Sequence, residues 1–402
     1  MSEIISMNNL ELENKFKNIT ALVKKSLPLL SQNDTHAIRG DRFEHKWISS
    51  LTKLSREDLV RFDAEREYTL LDDPEWLQLI DELKVLATFK VSNQNDASEE
   101  FKAFGNVKKQ HELQQLYSFL GEDKGKSVVD FGGGVGNLAS FLEQNLFMDV
   151  TVLEKNEELI EKGKARLLKR KGHVTFKHCH VSQNGDVPNI LSSDLAIGLH
   201  TCGNFATDMF RVCLQNKTKK VINFGCCYSK IKSHDYNLSS QSDKSIIFNT
   251  RALLSATQAF HSIPTDFYDY RENIVKYKFS FLHWLFKEHG HLDFFSMSNS
   301  RKSLYENTFS DYLEICLNKY FPEIPLPEKT ATDLFYESFE NIELLKYISA
   351  SYALRRYLGQ LIELYILCDR ALYLKEKGYT VEIVEVFDPR ISPRCRAIVA
   401  HH

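Results

Sequence analysis

The chain has 402 residues, of which 43% are hydrophobic and 26% charged, with a formal net charge of −3. That balance belongs to a folded chain with enough apolar material for a large core, and the length exceeds what one small domain needs. No apolar run is long enough to span a bilayer, and the near-neutral charge gives no overall basic footprint, so neither a membrane nor DNA is expected as a partner.

The opening residues, MSEIISMNNLELENKFK, are polar and acidic and lack the apolar stretch of a secretory signal, so a cytoplasmic location is expected. The eight cysteines are then expected to be reduced. Residues 1–95 read as a helical N-terminal region, because KNITALVKKSLPLL and DPEWLQLIDELKVLATF carry apolar residues at helical spacing. Residues 96–230 open on a polar linker and then change rhythm. KSVVDF, DVTVLE, HVTFKHCHV, SDLAIGLH and KKVINFGCCY read as strands. Between them NLASFLEQNLF, NEELIEKGKARLLKRKG (closed by Gly172) and NFATDMFRVCLQN read as helices. This alternation points to a mostly parallel sheet covered on both faces. Residues 231–340 read as a mostly helical insertion in which the aromatic FSFLHWLF is core. Residues 341–402 add a long helix or helix pair, closed by Gly378, and two final strands close enough in sequence to pair antiparallel.

The stretch VVDFGGGVGNL carries the strongest chemical signal. Gly132, Gly134 and Gly136 follow a strand that ends in Asp130, where open parallel sheets take cofactors. Bare backbone there lets a ligand approach closely. Gly134, Gly136 and Ala139 fit the frame of a dinucleotide site, so a pyrophosphate at the helix N-terminus stays open. An acid immediately before the glycines repels a pyrophosphate, however, and suits a cationic, amino-bearing ligand: S-adenosylmethionine. Glu154, eighteen residues past Gly136, ends the next strand and is placed to accept from both ribose hydroxyls of either cofactor.

Two further strings, GLHTCGNFATD and NFGCCYSK, follow the next strands of the same sheet. They bring His200, Cys202, Cys226, Cys227 and Tyr228 to the carboxyl edge. These residues could bind zinc, supply a nucleophile or base, or shape a pocket. His-x-Cys with Cys-Cys is not a standard zinc spacing, so no metal is expected. His200 is the leading base, Tyr228 the second candidate as stacker or proton acceptor, and Cys202 the third catalytic candidate; Asp208 reads as a supporting residue.

With VKKQHEL before the first core strand and LCDRALYLKEKGY and FDPRISPRCRAIVA at the C-terminal end, these strings resemble a methyltransferase-domain family. It is the family that includes methyltransferase-like protein 25 and the so-called ribosomal RNA adenine dimethylase domain-containing proteins. The middle strings are also similar to the catalytic domain of the tRNA 2′-O-methyltransferase acting on the acceptor stem. The resemblance covers residues 101–260 and 355–400. It implies an α/β class I Rossmann-like methyltransferase, with a seven-stranded sheet, an antiparallel C-terminal strand and S-adenosylmethionine as cofactor. It also implies that Lys109 meets the donor's carboxylate and that His111 orients a neighbour. The slot where adenine-N6 enzymes carry Asn/Asp-Pro-Pro-Tyr reads HTCG, so adenine dimethylation is not expected. Tyr228 stands where the tRNA enzymes have a histidine. The expected function is methyl transfer to RNA (tRNA or rRNA), with a protein acceptor and a non-catalytic cofactor-binding partner protein as alternatives. Arg390, Arg394 and Arg396 form a small basic cluster that could meet phosphates.

Overall fold

The computed structural model describes residues 9–92, 106–182, 193–232, 234–259, 268–291 and 302–402. The chain divides into two units, one of residues up to 27, 83–261 and 358–402, the other of residues 28–82 and 262–357. These boundaries differ from the sequence division. The second unit takes residues 28–82 of the N-terminal region, 262–340 of the insertion and the first residues, 341–357, of the C-terminal segment.

The first unit is organised by one sheet of eight strands: β1 (Lys90–Val91), β2 (Ser127–Phe131), β3 (Asp149–Glu154), β4 (Thr175–His178), β5 (Leu195–Cys202), β6 (Lys220–Cys226), β7 (Thr380–Glu385) and β8 (Arg396–His401). Their order is β1-β7-β8-β6-β5-β2-β3-β4. β8 runs antiparallel to both its neighbours, and the remaining pairs are parallel. This is the expected Rossmann-like sheet with an antiparallel last strand. The two-residue β1 is an addition at its edge, where Lys90 and Val91 pair with Val384 and Glu385.

The central strands are continuous apolar runs because both faces are covered. Val128, Val152, Leu195, Ile197, Ile222 and Phe224 are all fully buried in one core cluster. Phe224 stacks on Phe387 with ring centroids 4.8 Å apart, a contact worth about 0.5–1.5 kcal/mol beyond its buried area. Local signals set the helix ends. The Asn156 side chain accepts from the Glu158 and Leu159 N–H groups and starts the helix Glu157–Arg170. That helix ends on Lys171, which takes the left-handed conformation expected of Gly172; the Gly172 N–H then bonds to the Leu167 carbonyl. The helix Phe339–Glu376 is a single element of 38 residues, not a pair.

The second unit is helical among its described residues. Its core is aromatic: Tyr277, Phe281, Trp284, Tyr305, Phe309 and Tyr312 pack together. The FSFLHWLF stretch lies on the helix Tyr268–His289, with Phe279, Phe281, Trp284 and Leu285 buried. Among the described residues no helix is long and apolar enough to cross a membrane.

Candidate active site

The strand order reverses between β2 and β5, so the carboxyl ends of these strands flank the crevice where open α/β sheets take ligands. β2 delivers Asp130 and the glycine turn to it. Gly132, Gly134 and Gly136 have φ values of 71°, 58° and 74°, in the left-handed region that a side chain resists. Gly136 is also the N-cap of the helix Asn137–Leu146, and a Cβ there would stand 2.7 Å from the Phe176 ring. The turn therefore bends tightly and ends on a helix N-terminus, whose first N–H groups have no partner within the helix.

Asp130 is buried, and its Oδ2 has no hydrogen-bond partner among the described residues. Burial pushes its carboxyl up to about 7; Lys109 opposes the shift and Glu154 adds to it. A Cβ at Gly133 would run into this carboxylate, so the turn over it has to be bare. Glu154, also buried, accepts from the Gly134 N–H at 3.1 Å through Oε2 and from the Asn156 N–H at 2.9 Å through Oε1. It braces the glycine turn and keeps lone pairs for further donors. The buried Oδ2, the bare turn and a second acid at the end of β3 together fit an amino- and hydroxyl-bearing nucleoside ligand.

The helix Val107–Phe119 brings Lys109, His111 and Glu112 to the same unit. Burial lowers the Lys109 pKa, with Glu112 and Asp130 acting against it. His111, expected to orient a neighbour, meets a backbone group outside its own helix. Its Nε2 accepts from the Asp388 N–H at 2.9 Å, which ties the helix to the loop after β7. Burial lowers its pKa, consistent with a neutral acceptor.

Glu112, on the segment before β2, carries no assigned role in the sequence reading. It is buried, and its Oε1 lies 2.9 Å from His200 Nε2 and accepts from Ser392 Oγ at 2.8 Å. Burial alone would raise its pKa, but His200, Lys108 and Ser392 hold it down at about 2. An ionised carboxylate only accepts, so His200 Nε2 is the donor in this bond. One signal for Glu112 existed. Glu112, Leu116 and Leu120 form a buried i, i+4 row, and an acid in such a row needs a buried partner.

His200 itself has a φ of 62°, and the β5–β6 register shifts between Leu199 and Thr201. This bulge turns the half-exposed His200 side chain out of the ladder and toward Glu112. Two residues on, Cys202 Sγ lies 3.1 Å from Cys226 Sγ. The hydrogen bond from Cys226 lowers the Cys202 thiol to about 6, against burial and with help from Cys227. Cys226 is correspondingly pushed up, chiefly by the same bond.

Two placements correct the sequence reading. Tyr228 is buried, with its hydroxyl donating to Glu363 Oε1 at 3.0 Å and the Arg394 guanidinium over its ring. Burial raises its pKa well above the usual range, so the ring supports the end of β6 instead of offering a stacking face or a proton acceptor. The basic cluster is also not a phosphate surface. Arg394 is buried on Glu363 and Arg396 is buried beside Glu385, while the exposed Arg390 is paired with Asp388. Asp208 pairs with Arg211 at 3.2 Å, as a supporting residue would.

Residues 108–234, which contain the glycine turn, His200 and the three cysteines, match a protein family described as a methyltransferase domain. Two curated proteins named "Probable methyltransferase-like protein 25" are similar to the chain. The Mus musculus protein is 26% identical over 253 residues, 54% of this chain and 39% of its own length. The Homo sapiens protein is 28% identical over 251 residues, 54% of this chain and 38% of its own. The aligned stretch thus spans under two fifths of these relatives. A solved structure of coclaurine N-methyltransferase, bound to N-methylheliamine and SAH, is similar at a TM-score of 0.28 and 14% identity, covering 92% of this chain and 98% of that one. Residues 108–234 are thus similar to a methyltransferase-domain family, and just over half of the chain is similar to methyltransferase-like protein 25.

Proposed function

We propose that the chain is an S-adenosylmethionine-dependent methyltransferase acting directly on RNA, tRNA or rRNA, at a hydroxyl acceptor. The observation that carries this reading is the Glu112–His200 pair in the unit that also holds the bare turn over Asp130. S-adenosylmethionine, when bound, supplies a methyl group already activated by its sulfonium. Asp130 and Glu154 would hold its amino and hydroxyl donors, and Lys109 its carboxylate.

A nitrogen acceptor needs little beyond desolvation and a proton sink. A hydroxyl needs a base. With Nε2 held by Glu112, His200 would take that proton at Nδ1, and the buried carboxylate would fix the ring and stabilise the imidazolium that forms. An oriented histidine therefore supports an oxygen acceptor over a nitrogen one. The likeness of GLHTCGNFATD and NFGCCYSK to tRNA 2′-O-methyltransferase strings supports RNA as its carrier.

The test is label transfer. Extract from cells lacking the gene is mixed with the purified chain and donor carrying a radioactive methyl, then divided between RNase and protease. RNase-sensitive label is expected, falling at least about a hundredfold in His200→Ala while SAH binding persists. Protease-sensitive label would move the acceptor to protein. Tight SAH binding with label in neither fraction would favour a non-catalytic partner protein.

A further inference from the structure

The three cysteines at the ends of β5 and β6 have no part in the reading above beyond Cys202's place beside His200. Their Sγ atoms all lie within 4.8 Å of one another. Among the described residues no other three histidine, cysteine, aspartate or glutamate side chains converge in this way. The sequence spacing is not a standard zinc one, and adjacent cysteines in a regular strand would point their thiols to opposite faces. The backbone removes that objection: Cys227 has a φ of 48°, a left-handed conformation that breaks the alternation just after β6. Adjacent thiols can then converge.

We infer that Cys202, Cys226 and Cys227 form a thiolate site for one zinc ion, which ties the carboxyl end of β5 to that of β6. Three thiolates about 2.3 Å from a tetrahedral zinc stand roughly 3.8 Å apart. The observed spacing, from 3.1 Å for Cys202–Cys226 to within 4.8 Å overall, brackets that value. An all-sulfur donor set selects soft cations and disfavours magnesium or calcium. Cys226 is buried while Cys202 and Cys227 are half-buried, so solvent can reach the cluster and supply a fourth ligand.

The loops that carry the thiols are already fastened to each other. Gly203 lies against the Lys230 backbone so closely that a Cβ would stand 2.5 Å from the Lys230 carbonyl oxygen. Asn204 Nδ2 donates to the Lys232 carbonyl at 3.1 Å, and the Lys232 N–H donates back to Asn204 Oδ1. A site held this way needs little rearrangement to close on an ion. Binding would displace the thiol protons, leaving the sulfurs as zinc ligands.

The experiment uses the full chain, purified under reducing conditions. Zinc content is measured by elemental analysis, and cobalt(II) is substituted to read sulfur-to-metal charge transfer. One zinc per chain is expected, retained in Cys179→Ser and bound at least tenfold more weakly in Cys202→Ser, Cys226→Ser and Cys227→Ser. A chelator titration of the unaltered chain, followed by thermal unfolding, covers any variant that does not fold; the melting temperature is expected to fall as zinc leaves. Zinc retained in the triple serine variant, no zinc in a chain with free thiols, copper(I) bound in preference, or a Cys202–Cys226 disulfide in the reduced preparation would each overturn the assignment. SAH binding is read on the same samples, so failure of the zinc site and failure of the methyltransferase reading stay distinguishable.

Discussion

In the second unit Asp34 and Arg355 are both buried, and their side chains answer each other; in the first, Asp130 is buried as deeply and its Oδ2 meets no partner among the described residues. The contrast extends to neighbours. Asp63 of the second unit takes two hydrogen bonds from Arg356 at 2.8 Å and one from Tyr268 at 3.3 Å. In the first unit Asp369 accepts from the Leu238 and Ser239 N–H groups and from the hydroxyls of Ser239 and Ser242. Burying a carboxylate without partners is costly, and proteins normally avoid it or supply hydrogen bonds. Among the described residues these acids are satisfied while Asp130 keeps an unpaired oxygen under a glycine turn, which marks it as a candidate ligand position.

The largest effect should come from breaking the satisfied pair. Arg355→Ala strands Asp34 in the interior and is expected to cost about 3–5 kcal/mol in a urea titration. A loss under about 1 kcal/mol would mean that the second unit tolerates unpaired acids too, and the comparison would fail.

Asp130→Asn should act in the opposite direction. The carboxyl is held at about 7, above its ordinary 3.8. Between those values the folded chain holds a proton that the unfolded chain has lost, so stability falls as pH rises through this window and levels off above it. Asparagine removes the penalty. The unliganded variant is expected to gain up to about 4 kcal/mol near neutral pH and above, and almost nothing at about pH 4, while its SAH affinity drops at least tenfold. Thermal unfolding at both pH values, with and without SAH, checks this. A destabilised variant at high pH would show that Asp130 has an internal role.

Glu112→Gln is expected to be the mildest of the three. Glutamine keeps the shape but cannot stabilise an imidazolium, so kcat should fall about tenfold to hundredfold with KM unchanged. A change confined to KM would remove His200 from proton transfer.

Much of this was legible in the sequence because it is local. The alternating strands, the acid before the glycines and the helix start at Asn156 depend on residues within a few positions of one another. What escaped depends on long separations or on single torsions. Glu112 meets His200 across 88 residues. Arg394 reads as a surface base in SPRCR, yet Glu363, on a different element, draws it inside. Tyr228 goes the same way, onto the same carboxylate. The cysteines converge through one left-handed residue, a conformation that Cys-Cys-Tyr does not announce. The helical reading of residues 1–95 could not anticipate β1, because a two-residue strand is defined by its partner near residue 384.

The position of β8 has a consequence for how the chain is made. Residues 396–401 leave the ribosome after every other strand, yet β8 fills the slot between β6 and β7. Until it arrives, β6 and β7 each present an unpaired edge, and β1 has only β7 to hold it. Strands β2 to β6 can pair as they emerge, so synthesis leaves an open half-sheet waiting on its final segment. The edge of β6 stays open to misassociation until residues 396–401 have been made.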